Sequence, residues 1–259
     1  MIRWVKALLL LGFIIHLSCG YGSGLHRKSP SRGTHLYPHW FTEMPQRRGA
    51  IFAVGYSPVY MNIKTSWQEA KDNALLNLAK AYWVSVQGEQ AFVSGEGGTA
   101  YKGSTVSEVV DSTLLKMLKP KLTCLDSALV GEMVIVLVST KGIDVHSRPI
   151  SLKSEPTWIK KLPSNPDYNY ARGASPKYLY ESNSWLEAER RARIQLAWGR
   201  KTKLQQLQRK GEFSFHQVTV ESTGVTLREA QIVARWVDPV NGVHWVLARC
   251  PKGSMAHHR

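Results

Sequence analysis

The chain repeats itself at one fixed interval. Pro38, Trp40 and Pro45 recur as Pro156, Trp158 and Pro163, and Phe52-Ala53 with Gly55 as Tyr170-Ala171 with Gly173. Ser57, Pro58 and Tyr60 recur as Ser175, Pro176 and Tyr178; Ser66-Trp67, Glu69 and Ala70 as Ser184-Trp185, Glu187 and Ala188; Ala74, Leu78 and Ala79 as Ala192, Leu196 and Ala197. Every match lies 118 residues from its partner without a gap. An ungapped offset shared by tryptophans, prolines and glycines reads as a duplicated structural unit, so the fold must be one that can be built twice.

Each matched stretch carries a local expectation. Residues 50–54, and 168–172 in the second copy, read as a short strand ending in a Gly and a Ser-Pro turn. Ser66-x-x-Glu69 and Ser184-x-x-Glu187 have the spacing of capping boxes, with the Ser taking a first-turn N–H and the Glu reaching back. Helices of about five turns are expected to follow. Trp67, Ala70, Ala74 and Leu78, and likewise Trp185, Ala188, Ala192 and Leu196, share one helix face. Alanines on that face let a helix lie close to a sheet.

Beyond the helix each copy is expected to continue with a strand, a short polar helix or turn, and a closing hairpin. In the second copy these are 213–221, 224–230, then 232–237 with 243–249, joined by Asp238-Pro239-Val240-Asn241-Gly242. In the first copy the hairpin is 121–125 with 133–139, and its loop, 126–131, is expected to be one residue longer. The fold class is therefore α+β: two tandem β-α-β-(α)-β-β modules, each a small antiparallel or mixed sheet with one long helix on it. The expected organisation is a signal peptide over 1–19, a flexible tether over 20–36, modules at 37–141 and 156–251, a linker at 142–155 and a tail at 252–259.

The opening Pro-x-Trp, the Tyr/Phe-Ala-x-Gly strand end, the Glu-Ala-x-x-x-Ala-x-x-x-Leu-Ala helix and the hairpin of Arg235-Trp236-Val237-Asp238 with His244-Trp245-Val246-Leu247-Ala248 resemble the Lpp-twenty lipoprotein family. They also resemble the related N-terminal domain of the flagellar assembly protein FlgT. The first copy departs from this pattern, with Cys124-Leu125-Asp126 and no Trp in its hairpin. The resemblance covers most of 37–251. It implies an envelope lipoprotein of a Gram-negative bacterium, in some members a part of flagellar basal structures, and it brings no catalytic residues. Two modules in one chain depart from the usual single one.

Residues 1–20 fit an export signal: Arg3 and Lys6, then an apolar run over 7–15 too short to span a bilayer, then Leu17-Ser18-Cys19-Gly20. Cys19 stands where a lipobox places its acylated cysteine, although His16 replaces the usual leucine; diacylation supplies the two chains that stable anchoring requires. The alternative is a soluble secreted protein cut near Gly20. Hydrophobic residues make up 43% and charged residues 20%, which excludes a disordered chain. The formal charge is +15, nearly all of it beyond the signal, and suits an anionic surface or partner. Export removes nucleic acid from the expected partners.

No catalytic or metal constellation stands out. Gly55-x-Ser57 and Gly173-x-Ser175 lack the closing Gly of a nucleophile elbow and read as turns. Gly95-Glu96-Gly97-Gly98 lacks the Lys of a phosphate loop. His26, His257 and His258 lie toward the chain ends, His35 and His39 are four apart but Pro38 between them argues against a helix aiming both at one ion, and Cys124 and Cys250 are either free or paired. No cofactor is expected. The candidate contact surface is the basic stretch of the second long helix: Arg190, Arg191, Arg193, Arg200, Lys201 and Lys203. A merely solvated helix face is the alternative reading. The leading expectation is a non-enzymatic envelope lipoprotein, anchored at Cys19 in the inner leaflet of the outer membrane, acting as a structural or assembly module beside flagellar or other envelope proteins or further copies of itself. The alternative is a soluble periplasmic module for an anionic ligand such as a wall polymer.

Overall fold

A computed structural model describes residues 36–95, 98–145, 147–151, 154–208 and 220–253. The first half runs β1 (Leu36–Pro38), the single-turn helix α1 (His39–Thr42), β2 (Phe52–Pro58), the long helix α2 (Ile63–Tyr82), β3 (Trp83–Gly95), β4 (Gly98–Val109), α3 (Ser112–Leu118), β5 (Thr123–Val130) and β6 (Met133–Ser139). A connecting strand β7 (Pro149–Ser151) leads to the second half: α4 (Thr157–Lys160), β8 (Tyr168–Ser175), α5 (Glu181–Gln208), β9 (Val220–Arg228), β10 (Gln231–Val237) and β11 (His244–Pro251). The protein is α+β, and its described sheets are antiparallel.

Two three-stranded sheets have the same plan. Their strand orders are β2-β6-β5 and β8-β11-β10, so in each the strand leading into the long helix lies at an edge and the closing hairpin supplies the rest. The registers correspond. Gly55 faces Val136 as Gly173 faces Val246, and Ser127 faces Val136 as Arg235 faces Val246. Each hairpin also carries one extra residue, Leu125 and Val233, in the matching place. Such a bulge bends the strand and increases its twist locally.

Close helix–sheet contact explains the repeated glycines and alanines. A Cβ on Gly55 would lie 1.9 Å from the Ala70 carbonyl oxygen, and one on Gly173 would lie 2.1 Å from that of Ala188. Only glycine lets each strand approach its helix so closely. Ala70, Ala74 and Leu78 pack with Ala53, Val134, Val136 and Val138 on one face of the first sheet. The opposite face, with Phe52, Val54, Tyr56, Ile135 and Leu137, shares a second core with Trp185, Ala188 and Ala192 of α5. Helix α5 is therefore clad on two sides, by its own sheet and by the back of the first.

Several local expectations are corrected. Ser66 and Ser184 do not cap their helices. α2 begins at Ile63 behind Asn62, whose side chain accepts the Lys64 N–H, and Ser66 and Ser184 lie inside the first turns, where their hydroxyls accept the N–H groups of Tyr60 and Tyr178, each at 2.8 Å. Each serine thus pins the preceding loop onto the helix. Residues 224–230 form no short helix: 220–228 are β9, which pairs with β3 of the first half. The two halves of the chain therefore share a sheet, β4-β3-β9, where separate ones were expected. Most of the strand expected at 213–221 lies outside the described residues. The first hairpin turns at Gly131-Glu132, with Gly131 at φ 57, so its loop is shorter than the second one. The segment expected as a plain linker contributes β7, which pairs with β1. Cys124 is half-buried, and Cys250 is buried with its thiol donating to the Arg228 carbonyl oxygen at 3.0 Å.

Candidate functional site

The β8 edge of the second sheet and the flank of α5 enclose an open groove of about 750 Å³. Tyr170, Arg172 and Ala174 come from β8, Trp245 from β11, and Arg190, Arg191, Gln195 and Trp198 from α5. Strand alternation turns Tyr170, Arg172 and Ala174 away from α5, while the buried Ala171, Gly173 and Ser175 face it. Because β8 is an edge strand, side chains from both of its faces meet at the groove.

The groove is basic and aromatic. Its lining holds three arginines, two tryptophans and a tyrosine, and no carboxylate. The Arg172 guanidinium lies 5.9 Å from the centre of the Trp245 ring and makes no ion pair among the described residues. Arg190 and Arg191 share Glu187, at 2.7 and 2.6 Å. Hydrogen bonds from Arg190, more than from Arg191, hold the Glu187 carboxyl below its usual range. One carboxylate against three guanidiniums leaves a positive field over aromatic walls, an arrangement that attracts anions and stacks planar groups.

Beside it lies a buried ionic network that joins α5 to side chains of β2, β4, β10 and α2. Glu189 accepts from Arg235 at 2.6 Å and from the Tyr56 hydroxyl, and Arg235 also donates to the Phe41 carbonyl oxygen at 3.1 Å. Arg193, 2% exposed, lies 2.6 Å from Glu108 and 3.6 Å from Glu189, and Lys80 reaches Glu108 at 2.8 Å. Burial alone would raise the Glu108 carboxyl, but Arg193 and then Lys80 outweigh it and hold the pKa at about 2. Burial pushes the Tyr56 phenol well above its ordinary value. Buried charges need partners, and here those partners come from both halves of the chain.

The basic stretch of α5 therefore divides. Arg190 and Arg191 line the groove. Arg193 is no surface cation, since it is fully enclosed by Glu108 and Glu189. The side chains of Arg200, Lys201 and Lys203 lie outside the described residues, as does Cys19. Arg172, Trp198 and Trp245 were missed by sequence reasoning. The period-two pattern of Tyr168–Ser175 was their available signal, since it places Arg172 on the face turned from the helix. Among the described residues no group of His, Cys, Asp and Glu could hold a metal ion, and no helix is long and apolar enough to cross a membrane. Comparison with protein-family models, curated proteins and solved structures finds no match.

Proposed function

We propose that the chain is a non-enzymatic bacterial envelope protein, exported and anchored through Cys19, that uses the groove between β8 and α5 to hold an acidic partner. The observation that carries this reading is the lining itself: Arg172, Arg190 and Arg191 converge with Tyr170, Trp198 and Trp245, and no carboxylate is among them. Trp, Tyr and Arg are the residues that contribute most per side chain at protein interfaces.

The body that carries the groove is a tandem duplication of one Lpp-twenty-type module. Support comes from the ungapped 118-residue offset, the shared strand order, the matching bulges and the paired Gly–Ala contacts. The second module retains an open groove, while the equivalent face of the first is covered by α5. Such a division suits an assembly module in the flagellar or another cell-surface apparatus, and nucleic acid is not among its partners.

Affinity isolation from the native envelope tests the reading. The wild-type chain is expected to retain a partner at low salt, and Arg172→Glu is expected to lose it while remaining folded. A monomer with no partner, or a partner equally retained by Arg172→Glu, would overturn it.

A further inference from the structure

The two long helices treat their neighbouring edge strands differently. In the first half the free edge of β2 is closed from within. Asn73 of α2 accepts the Tyr56 N–H at 3.2 Å, and Asn77 donates to the Val54 carbonyl oxygen at 2.9 Å. Two backbone groups that face away from β6 are thus satisfied by side chains one helical turn apart. The corresponding residues 118 positions later are Arg191 and Gln195, facing Ala174 and Arg172.

Neither replacement closes the edge. Arg191 is a donor only, so it bonds the Ala174 carbonyl oxygen at 2.9 Å and leaves the Ala174 N–H without an acceptor. Gln195 is exposed and makes no hydrogen bond among the described residues. The Arg191–Ala174 contact fixes which way the strand's groups point: N–H and C=O of Ala174 face outward, and alternation puts those of Arg172 on the same side. The result is a strand edge with unpaired donors and acceptors, flanked by guanidiniums and aromatic rings. Exposed edges of this kind are templates for another strand unless guarded. An arginine guard repels a cationic strand and admits an acidic one, so further copies of this +15 chain are poor candidates to pair there.

We infer that the second half captures an extended acidic polypeptide segment of another protein, which adds to β8 as a fourth strand of the β10-β11-β8 sheet. This rests on the reading of the groove as a site for an acidic partner. Main-chain hydrogen bonds to Arg172 and Ala174 supply affinity, and carboxylates at alternate positions share the face of the added strand that meets Arg172 beside Trp245. Side chains between them turn toward α5, where Arg190, Arg191 and Trp198 line the groove.

The test uses the purified full-length chain, a pool of nine-residue peptides with Asp or Glu at alternate positions, and polygalacturonate as an anion that cannot form a strand. Peptides are expected to bind in a salt-sensitive way, to slow hydrogen exchange at the Ala174 N–H, and to lose at least tenfold in affinity when their alternate amides are N-methylated. Gln195→Asn, which restores the side chain that closes the first edge without changing charge, is expected to weaken peptides about tenfold and leave polygalacturonate unaffected. Equal binding of methylated and unmethylated peptides, or peptide binding indifferent to Gln195→Asn, overturns strand addition while sparing the acidic-partner reading. Binding of polygalacturonate without any peptide does the same and points to a wall polymer. Absence of binding by both probes overturns both.

Discussion

Gly55 and Gly173, 118 residues apart, do the same job: each brings a strand so near its helix that a Cβ would overlap the carbonyl oxygen of Ala70 or Ala188. Gly173→Ala must push β8 from α5 or break the helix locally, and overpacking of this kind costs about 3 kcal/mol or more. Gly199, in the same helix, has nothing within 4 Å of a Cβ, so Gly199→Ala should stabilise by up to about 1 kcal/mol. Urea unfolding of the two variants checks both signs, and Gly55→Ala should behave like Gly173→Ala.

Glu108 makes stability depend on acid. Its carboxyl is held at about 2, below its usual 4.5, by Arg193 and Lys80 against the cost of burial. A depressed folded pKa contributes stability that is fully present above the unfolded value and is lost as pH falls from about 4.5 through about 2. The contribution is on the order of 3 kcal/mol. Glu108→Gln should be less stable than wild type at pH 7, with the gap narrowing steadily as pH drops through that window. A gap of constant size from pH 7 to pH 2.5 would show that Glu108 does not titrate as its partners require.

The paired helix–sheet contacts were legible because such close packing admits few residues: Gly55 and Gly173 lie opposite Ala70, Ala74, Ala188 and Ala192. The α+β class followed from the same periodicities. The pairing of β9 with β3 was not legible, since strand partners far apart in sequence leave no local mark. Ser66 and Ser184 have capping-box spacing yet serve loops outside the helix, because Asn62 already caps α2. Of the groove, Arg190 and Arg191 were visible as helix cations. Arg193 looked the same in sequence, and only Glu108 of β4, in the sheet shared by the two halves, makes it a buried ion. Arg172 carried no signal beyond strand alternation.

The pair of Glu189 and Arg235 joins the halves, since it is met by Tyr56 and the Phe41 carbonyl. Removing one member leaves a buried charge unpaired, which costs about 3–5 kcal/mol. Glu189→Leu and Arg235→Met are each expected to fall in that range. The double variant Glu189→Leu with Arg235→Met should cost much less than their sum, because hydrophobic replacement of a whole buried pair is often close to neutral. Urea denaturation of the three variants completes the cycle; strict additivity would mean the two side chains act independently.

The proposed anchoring through Cys19 is separable from what the folded body does. Wild type and Cys19→Ala, expressed in a Gram-negative host with labelled palmitate, should differ in two readouts at once. The wild type is expected to carry label and to fractionate with the outer membrane, as two acyl chains together hold a protein where one alone does not. Cys19→Ala is expected to lose both, yet its groove should bind acidic peptides as the wild type does, since the chemistry of Arg172, Arg190 and Arg191 does not involve the lipid. Label absent from both proteins would make the chain a soluble exported one cut near Gly20, and membrane association persisting in Cys19→Ala would move the anchor from the lipid to a partner.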